Sequence, residues 1–169
     1  MNISKILFIV FFLLFFSSNS FALNDYRFID IDLILKKSTI GKLTLKTLNE
    51  NRSKALENLK SKEQDIQQQE DDIKKKSNIL SKEDLNKQIN LLKKNINEFS
   101  IYKDKATSNF ENQKRELMNI FFKKINPVIE EYVIVNSIKI LFNKKDVVLG
   151  DTSLDITDEI IEIIDKKFN

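Results

Sequence analysis

The 169-residue chain contains no cysteine and no histidine, a single proline and two glycines. Without thiols or imidazoles there can be no disulfide staple, thiol nucleophile, zinc finger or histidine acid/base pair. Carboxylate-only metal sites survive that cut, but the Asp/Asn/Gly spacing of a calcium loop occurs nowhere. Two glycines leave no phosphate-cradling loop, which needs several positions free of Cβ. Glu130 and Glu131 are adjacent carboxylates that a helix projects in different directions, so they form no acid/base pair. The chain is therefore expected to be no enzyme and to need no cofactor. With few tight turns available, long regular elements in one domain are expected.

What is present begins with an address. Lys5 precedes an uninterrupted apolar run of 11 residues, Ile6 to Phe16, and then the polar stretch Ser17-Ser18-Asn19-Ser20. Small residues at Ser20 and Ala22 suit signal peptidase, so residues 1–22 read as a secretory signal cleaved between Ala22 and Leu23. A spanning helix needs ~20 apolar residues, and this run falls short. The mature chain then has 147 residues, with 27 basic and 25 acidic side chains. The competing reading keeps the segment as an anchor, making the protein a membrane-anchored coiled-coil stalk or scaffold of the cell envelope.

Residues 26–31, Tyr-Arg-Phe-Ile-Asp-Ile, read as a strand. Leu33-Ile34-Leu35 follows as a helical turn, and Ser38 offers an N-cap. From Lys42 to Lys75 there is neither Gly nor Pro, and apolar residues recur at Leu45, Leu48, Ala55, Leu59, Ile66, Ile73 and Leu80. Beyond Leu59 that is one per heptad, with Lys62, Gln69 and Lys76 at the alternate positions of a thin seam. Ser77-Asn78 breaks the pattern, and Ser81 to Asp84 forms a capping box with Asp in place of Glu. Leu85, Ile89, Leu92, Ile96 and Phe99 then step 4-3-4-3, continued by Ala106, Phe110 and Leu117 and interrupted by Lys103 and Gln113. Two such helices joined by a short break pack as an antiparallel hairpin. Each arm would be ~55 Å long, so the hairpin projects.

The returning helix turns strongly apolar after Leu117, and Pro127 is expected to bend or break it. Ile138 to Phe142 and Val147 to Leu149, joined by Asn143-Lys144-Lys145-Asp146, read as a β-hairpin. Asp155 is expected to cap a last helix carrying Ile156, Ile160, Ile161, Ile163 and Ile164. The expected class is mainly α with a small β body: a long coiled-coil hairpin, or tentacle, projecting from a strand-built oligomerisation body, with a C-terminal helix. Its divisions are the first body strand and entry turn (23–41), the helical hairpin (42–126), and the body β-hairpin with C-terminal helix (127–169). Short strands apolar on nearly every residue want both faces covered, which points to self-association through Phe28, Ile29, Ile31, Ile140, Leu141, Phe142, Val147, Val148 and Leu149.

Seven lysines, Lys74, Lys75, Lys76, Lys82, Lys87, Lys93 and Lys94, stand against Glu83 and Asp84 between residues 74 and 94. A basic tip implies anionic partners: acidic stretches of another chain, or an anionic lipid surface. Nucleic acid is not expected, because export removes it and arginine is scarce (Arg27, Arg52 and Arg115). Phe110, Phe121 and Phe122 are candidates for an apolar surface facing a bound chain.

The layout and three stretches resemble the Skp/OmpH family of periplasmic chaperones. Phe28-Ile29-Asp30-Ile31-Asp32 followed by Ser38-Thr39-Ile40-Gly41-Lys42 is similar to the family's opening strand and its Ser-x-x-Gly-Lys turn. Pro127 and the helix leading to Ile140-Leu141-Phe142 are similar to the region before its second strand. Asp151-Thr152-Ser153-Leu154-Asp155-Ile156-Thr157 resembles its closing signature, with Thr152 where Pro is usual; Ser137 stands where Gly commonly ends the helix. The resemblance implies a homotrimer with tentacles around a cavity, binding unfolded outer-membrane proteins without ATP in the periplasm.

Overall fold

The computed structural model describes residues 26–168. The expected signal segment and its Ala22–Leu23 junction lie outside them. In chain order the elements are β1 (Tyr26–Ile29), α1 (Ile31–Lys37), α2 (Thr39–Lys76), α3 (Lys82–Val135), β2 (Ile140–Asn143), two short 3-10 turns (Lys144–Asp146 and Thr152–Leu154) and α4 (Thr157–Phe168). Helices α2 and α3, of 38 and 54 residues, pack as an antiparallel hairpin about 57 Å and 81 Å long on its two sides. The fold is α+β, with the long helical hairpin rising from a small body.

Three caps explain where the helices start. Asp30 accepts the Leu33 amide at 2.8 Å, so the first strand ends at Ile29 and Ile31, expected in the strand, opens α1. Ser38 closes α1 by donating its amide to the Ile34 carbonyl and opens α2 by accepting the Gly41 amide on Oγ at 3.1 Å. Ser81 accepts the Asp84 amide at 3.1 Å and donates its hydroxyl to the Asp84 carboxylate at 2.6 Å. The box therefore closes between side chains, because Asp is one methylene too short for the usual reach back to the cap amide.

Two expectations about the return are corrected, a break at Pro127 and the β-hairpin. Helix α3 runs unbroken across Pro127; the proline and Lys123, whose carbonyl it leaves without a partner, both lie on the exposed side, where water can satisfy that group. The β-hairpin does not form. β2 pairs in parallel with β1, Tyr26 opposite Ile140 and Ile29 opposite Asn143, while Val147 to Leu149 lie in a loop. Lys144–Asp146 coils into a 3-10 turn, and Val147 and Leu149 stay beside Phe28 and Phe142 around one cleft without pairing as a strand.

Helix α3 ends in a Schellman motif: Ile138 N–H donates to the Val133 carbonyl and Ser137 N–H to that of Ile134. Ser137 at C′ consequently has φ 53°, a left-handed conformation that costs a residue with Cβ about 1 kcal/mol relative to glycine. Ser137→Gly is expected to raise unfolding stability by about 1 kcal/mol, read from chemical denaturation; no gain would mean that the serine is held there by something beyond its backbone.

The body core is one cluster. Phe121, Ile125, Val128 and Ile129 form the inner stripe of α3, spaced as an amphipathic helix requires, and meet Ile34, Ile40, Ile29, Ile138, Ile156, Ile160 and Ile164. The C-terminal segment is stitched to the first strand: Ile156 N–H donates to the Phe28 carbonyl at 3.1 Å, and Asp30 N–H to Thr157 Oγ1 at 2.9 Å. Asp165 accepts the Thr39 amide at 2.7 Å, placing a carboxylate at the positive end of α2. Body and arm are thus tied by the same residues that start α2.

Along the arm, the α2 seam follows the expected positions, and the α3 seam does so at Leu85, Ile89, Leu92, Phe99, Ala106, Phe110 and Leu117. It departs mid-arm, where Asn95 and Tyr102 lie half-buried while Ile96 and Lys103 are exposed. Both choices at these two positions keep a heptad step. The observed one places an aromatic ring, instead of the Lys103 ammonium, against α2.

Candidate functional site

Three surfaces carry side chains not consumed by the fold. On the body, β2 shows the alternation of a sheet covered on one side only: Leu141 packs against the core cluster, while Ile140 and Phe142 point outward, about half exposed. Val148 and Leu149 are 102% and 93% exposed. Phe28 and Ile29 are buried, and Val147 is half-buried. Tyr26, Phe142, Val147, Leu149 and Leu154 surround a cleft of about 300 Å³, so the exposed apolar groups are contiguous around one edge of the body.

Beside this edge, Lys144 Nζ meets Asp155 Oδ2 at 2.6 Å. Partial burial works against ionisation of the Asp155 carboxyl. The bonds from Lys144 and from the Thr157 hydroxyl and amide outweigh it, and the group sits below its usual range. Asp155 lies one residue further out than a standard cap, accepting the amide of the first residue of α4 at 3.0 Å. A depressed carboxyl contributes stability that is present above its unfolded value, about 3.9, and lost as pH falls through the folded value. The stability gap between the natural chain and an Asp155→Asn variant is therefore expected to be full at neutral pH and to close below about pH 4. Thermal unfolding across pH 2–7 measures it, and a gap constant in pH would mean that the pair contributes nothing through ionisation.

At the far end, Lys74, Lys75 and Lys76 close α2 and Lys82, Lys87, Lys93 and Lys94 line the start of α3, all exposed. Lys74, Lys87 and Lys94 are held by Glu70, Glu83 and Glu98 at 3.1, 2.9 and 3.8 Å. From Glu70 to Glu98 six acids stand against the seven lysines, so positive potential is confined to the last turns. The lysines ending α2 also complement its carbonyl end, a structural reason for three of the seven. Ile79, 83% exposed at the turn, is an apolar group among them that periodicity alone does not reveal.

The aromatic candidates divide. Phe121 is fully buried in the body core, which removes it from any chain-facing surface, and Phe122, half-buried, packs against it edge-to-face at 5.5 Å: the apolar stripe of α3 includes Phe121 because the body needs it. Phe110 sits half-buried in a shallow cleft on the arm with Arg52, Leu56, Leu59 and Ala106.

Mid-arm, where α2 carries one apolar residue per heptad, the two helices leave a cleft of about 360 Å³. Phe99, Tyr102 and Ile66 line it, with Asp65 and Glu98 at its borders. Asn95 Nδ2 donates to Gln69 Oε1 across the hairpin at 2.7 Å, and the Lys62 ammonium lies 4.8 Å from the Tyr102 ring centre. This cleft was not foreseen, because it depends on the phase of α3. Among the described residues no three acidic groups gather as a metal site, and no helix is long and apolar enough to cross a membrane.

The family model described as "Outer membrane protein (OmpH-like)" matches residues 26–164. The fold is similar to that of a crystal structure from Caulobacter crescentus CB15 described as a candidate outer membrane chaperone (OmpH-like), with a TM-score of 0.77 and 85% of each chain covered. At 14% identity the likeness is one of fold. No curated protein matches the chain.

Proposed function

The chain belongs to the OmpH-like family, and from that premise we propose that it is an ATP-independent periplasmic holdase that binds unfolded outer-membrane proteins in a cavity between helical arms and prevents their aggregation. The observation that carries the reading is the contiguous apolar edge of the body, Ile140, Phe142, Val148 and Leu149, at the root of a long projecting arm. One arm encloses nothing. Copies joined through that edge would hang their arms around a shared space, and a closed ring of three serves both purposes. In this reading residues 1–22 are removed on export, 23–41 and 127–169 form the body, and 42–126 form the arm, whose returning end packs Phe121 and Ile125 into the body core. The tip lysines assist first encounter with an acidic stretch of client or an anionic lipid surface, since exposed charge acts mainly on association rates. Phe110 and the half-buried Phe122 are the aromatic candidates left.

The test uses the chain beginning at Leu23. An outer-membrane β-barrel protein unfolded in urea is diluted into buffer with and without it, and turbidity is followed while native mass is measured in parallel. The expected result is suppression of turbidity, without nucleotide, by particles of three chains. Undiminished aggregation at excess protein would sink the reading.

A further inference from the structure

The mid-arm cleft has a chemistry that packing between α2 and α3 does not require. A heptad seam is served best by apolar residues, yet this one holds two carboxamides. A primary carboxamide offers one acceptor oxygen and one donor nitrogen. The bond from Asn95 Nδ2 to Gln69 Oε1 leaves Asn95 Oδ1 and Gln69 Nε2 with no other partner among the described residues. One acceptor and one donor on a bonded, half-buried pair are the complement of the N–H and C=O of one residue in an extended strand, which face the same side. Beside them Phe99 and Tyr102 offer apolar and aromatic surface, and the space of about 360 Å³ suits one large side chain with its backbone.

We propose that this cleft binds one residue of an extended polypeptide, its N–H donating to Asn95 Oδ1, its C=O accepting from Gln69 Nε2, and its aromatic side chain against Phe99 and Tyr102. The inference rests on the holdase reading for the identity of the occupant: strands of outer-membrane barrels alternate apolar and polar residues and carry aromatic girdles. Such a strand exposes one face of side chains together with unpaired backbone groups when unfolded. Asp65 and Glu98 at the borders favour neutral or basic neighbours of the aromatic residue over acidic ones. Because the groups used are generic to backbone, the site selects extended conformation and an aromatic ring, not a sequence.

The test uses fluorescently labelled ten-residue peptides in which tyrosine alternates with threonine and lysine, and follows anisotropy on titration with the chain from Leu23. A second peptide carries N-methyl groups on its tyrosine amides. Gln69→Leu with Asn95→Leu removes the peptide-complementing groups while restoring an apolar seam, so helicity is expected to persist by circular dichroism. The double variant is expected to bind the first peptide roughly tenfold more weakly, as two net hydrogen bonds allow, and N-methylation, which removes one of the two, should weaken binding by roughly threefold on the natural chain only. Tyr102→Ala weakens binding separately. Equal affinity of the double variant, or no binding of either peptide to the natural chain, overturns the proposal. If the natural chain prevents barrel aggregation while either of those results is found, the cleft assignment alone fails. If peptide binds at the cleft but aggregation proceeds, the holdase reading fails instead.

Discussion

Changing Val148 and Leu149 together to Asp is expected to reduce the particle to single chains and to abolish protection of an unfolded barrel protein. Both side chains are almost wholly in solvent within one chain, so the substitutions remove no intrachain packing and the separated chain should keep its helicity. In an assembly sealed by this edge the two carboxylates would be buried without partners, which costs several kcal/mol per group. The choice of residues matters. Leu141 also belongs to the expected oligomer surface, but it packs against the core cluster, so Asp there would unfold the chain itself and report nothing about association. Sedimentation of the double variant beside a circular dichroism spectrum separates the cases. A particle of unchanged mass would show that these two residues lie outside the subunit contact, and the cavity would then need another architecture.

Much of the arm is legible from periodicity because a long helix repeats one rule: the breaks at Ser77 and Ser81 and the thin α2 seam need no tertiary information. The mid-arm part of the α3 seam does need it. Ile96 outbids Asn95 on hydrophobicity alone, and only the later choice between Lys103 and Tyr102 favours the observed side. The signal was present, but it required weighing the charge of Lys103 against the apolarity of Ile96. The body is less legible still, since β1 pairs with a strand more than a hundred residues away. An apolar run such as Val147 to Leu149 reads as a strand whether it pairs or lies exposed, because composition reports that the residues need burial and not what supplies it. Phe121 went astray for the related reason that one apolar stripe serves the body core at one end of α3 and the arm at the other. The capping residues Asp30, Ser38 and Ser81 were the most readable, each acting within three positions of itself.

Gly41→Ala is expected to destabilise the chain by about 3 kcal/mol, the upper end of what overpacking costs. The reason is local and steric. A Cβ built on Gly41 would lie 2.2 Å from the carbonyl oxygen of Leu35 and 2.8 Å from its Cα, and backbone cannot move aside as a side chain can. α1 cannot retreat either: Ile34 is fully buried in the core, and Ser38 joins the two helices through both its amide and its hydroxyl. The first turn of α2 is pinned from the other side by Asp165 on the Thr39 amide, so relief would have to break that bond, the Ser38 cap or the packing of Ile40. Each is a contact that aims the arm from the body. Gly41 therefore fixes how closely α1 and α2 meet, which is a separate matter from conformational freedom, since it sits within a regular helix. Chemical denaturation of the variant measures the loss, and Ser38→Ala provides the comparison, because removing an N-cap costs about 1 kcal/mol. If Gly41→Ala cost no more than the cap, the α1–α2 junction would be soft, and the direction of the arm would have to be set instead by α4 through Asp165.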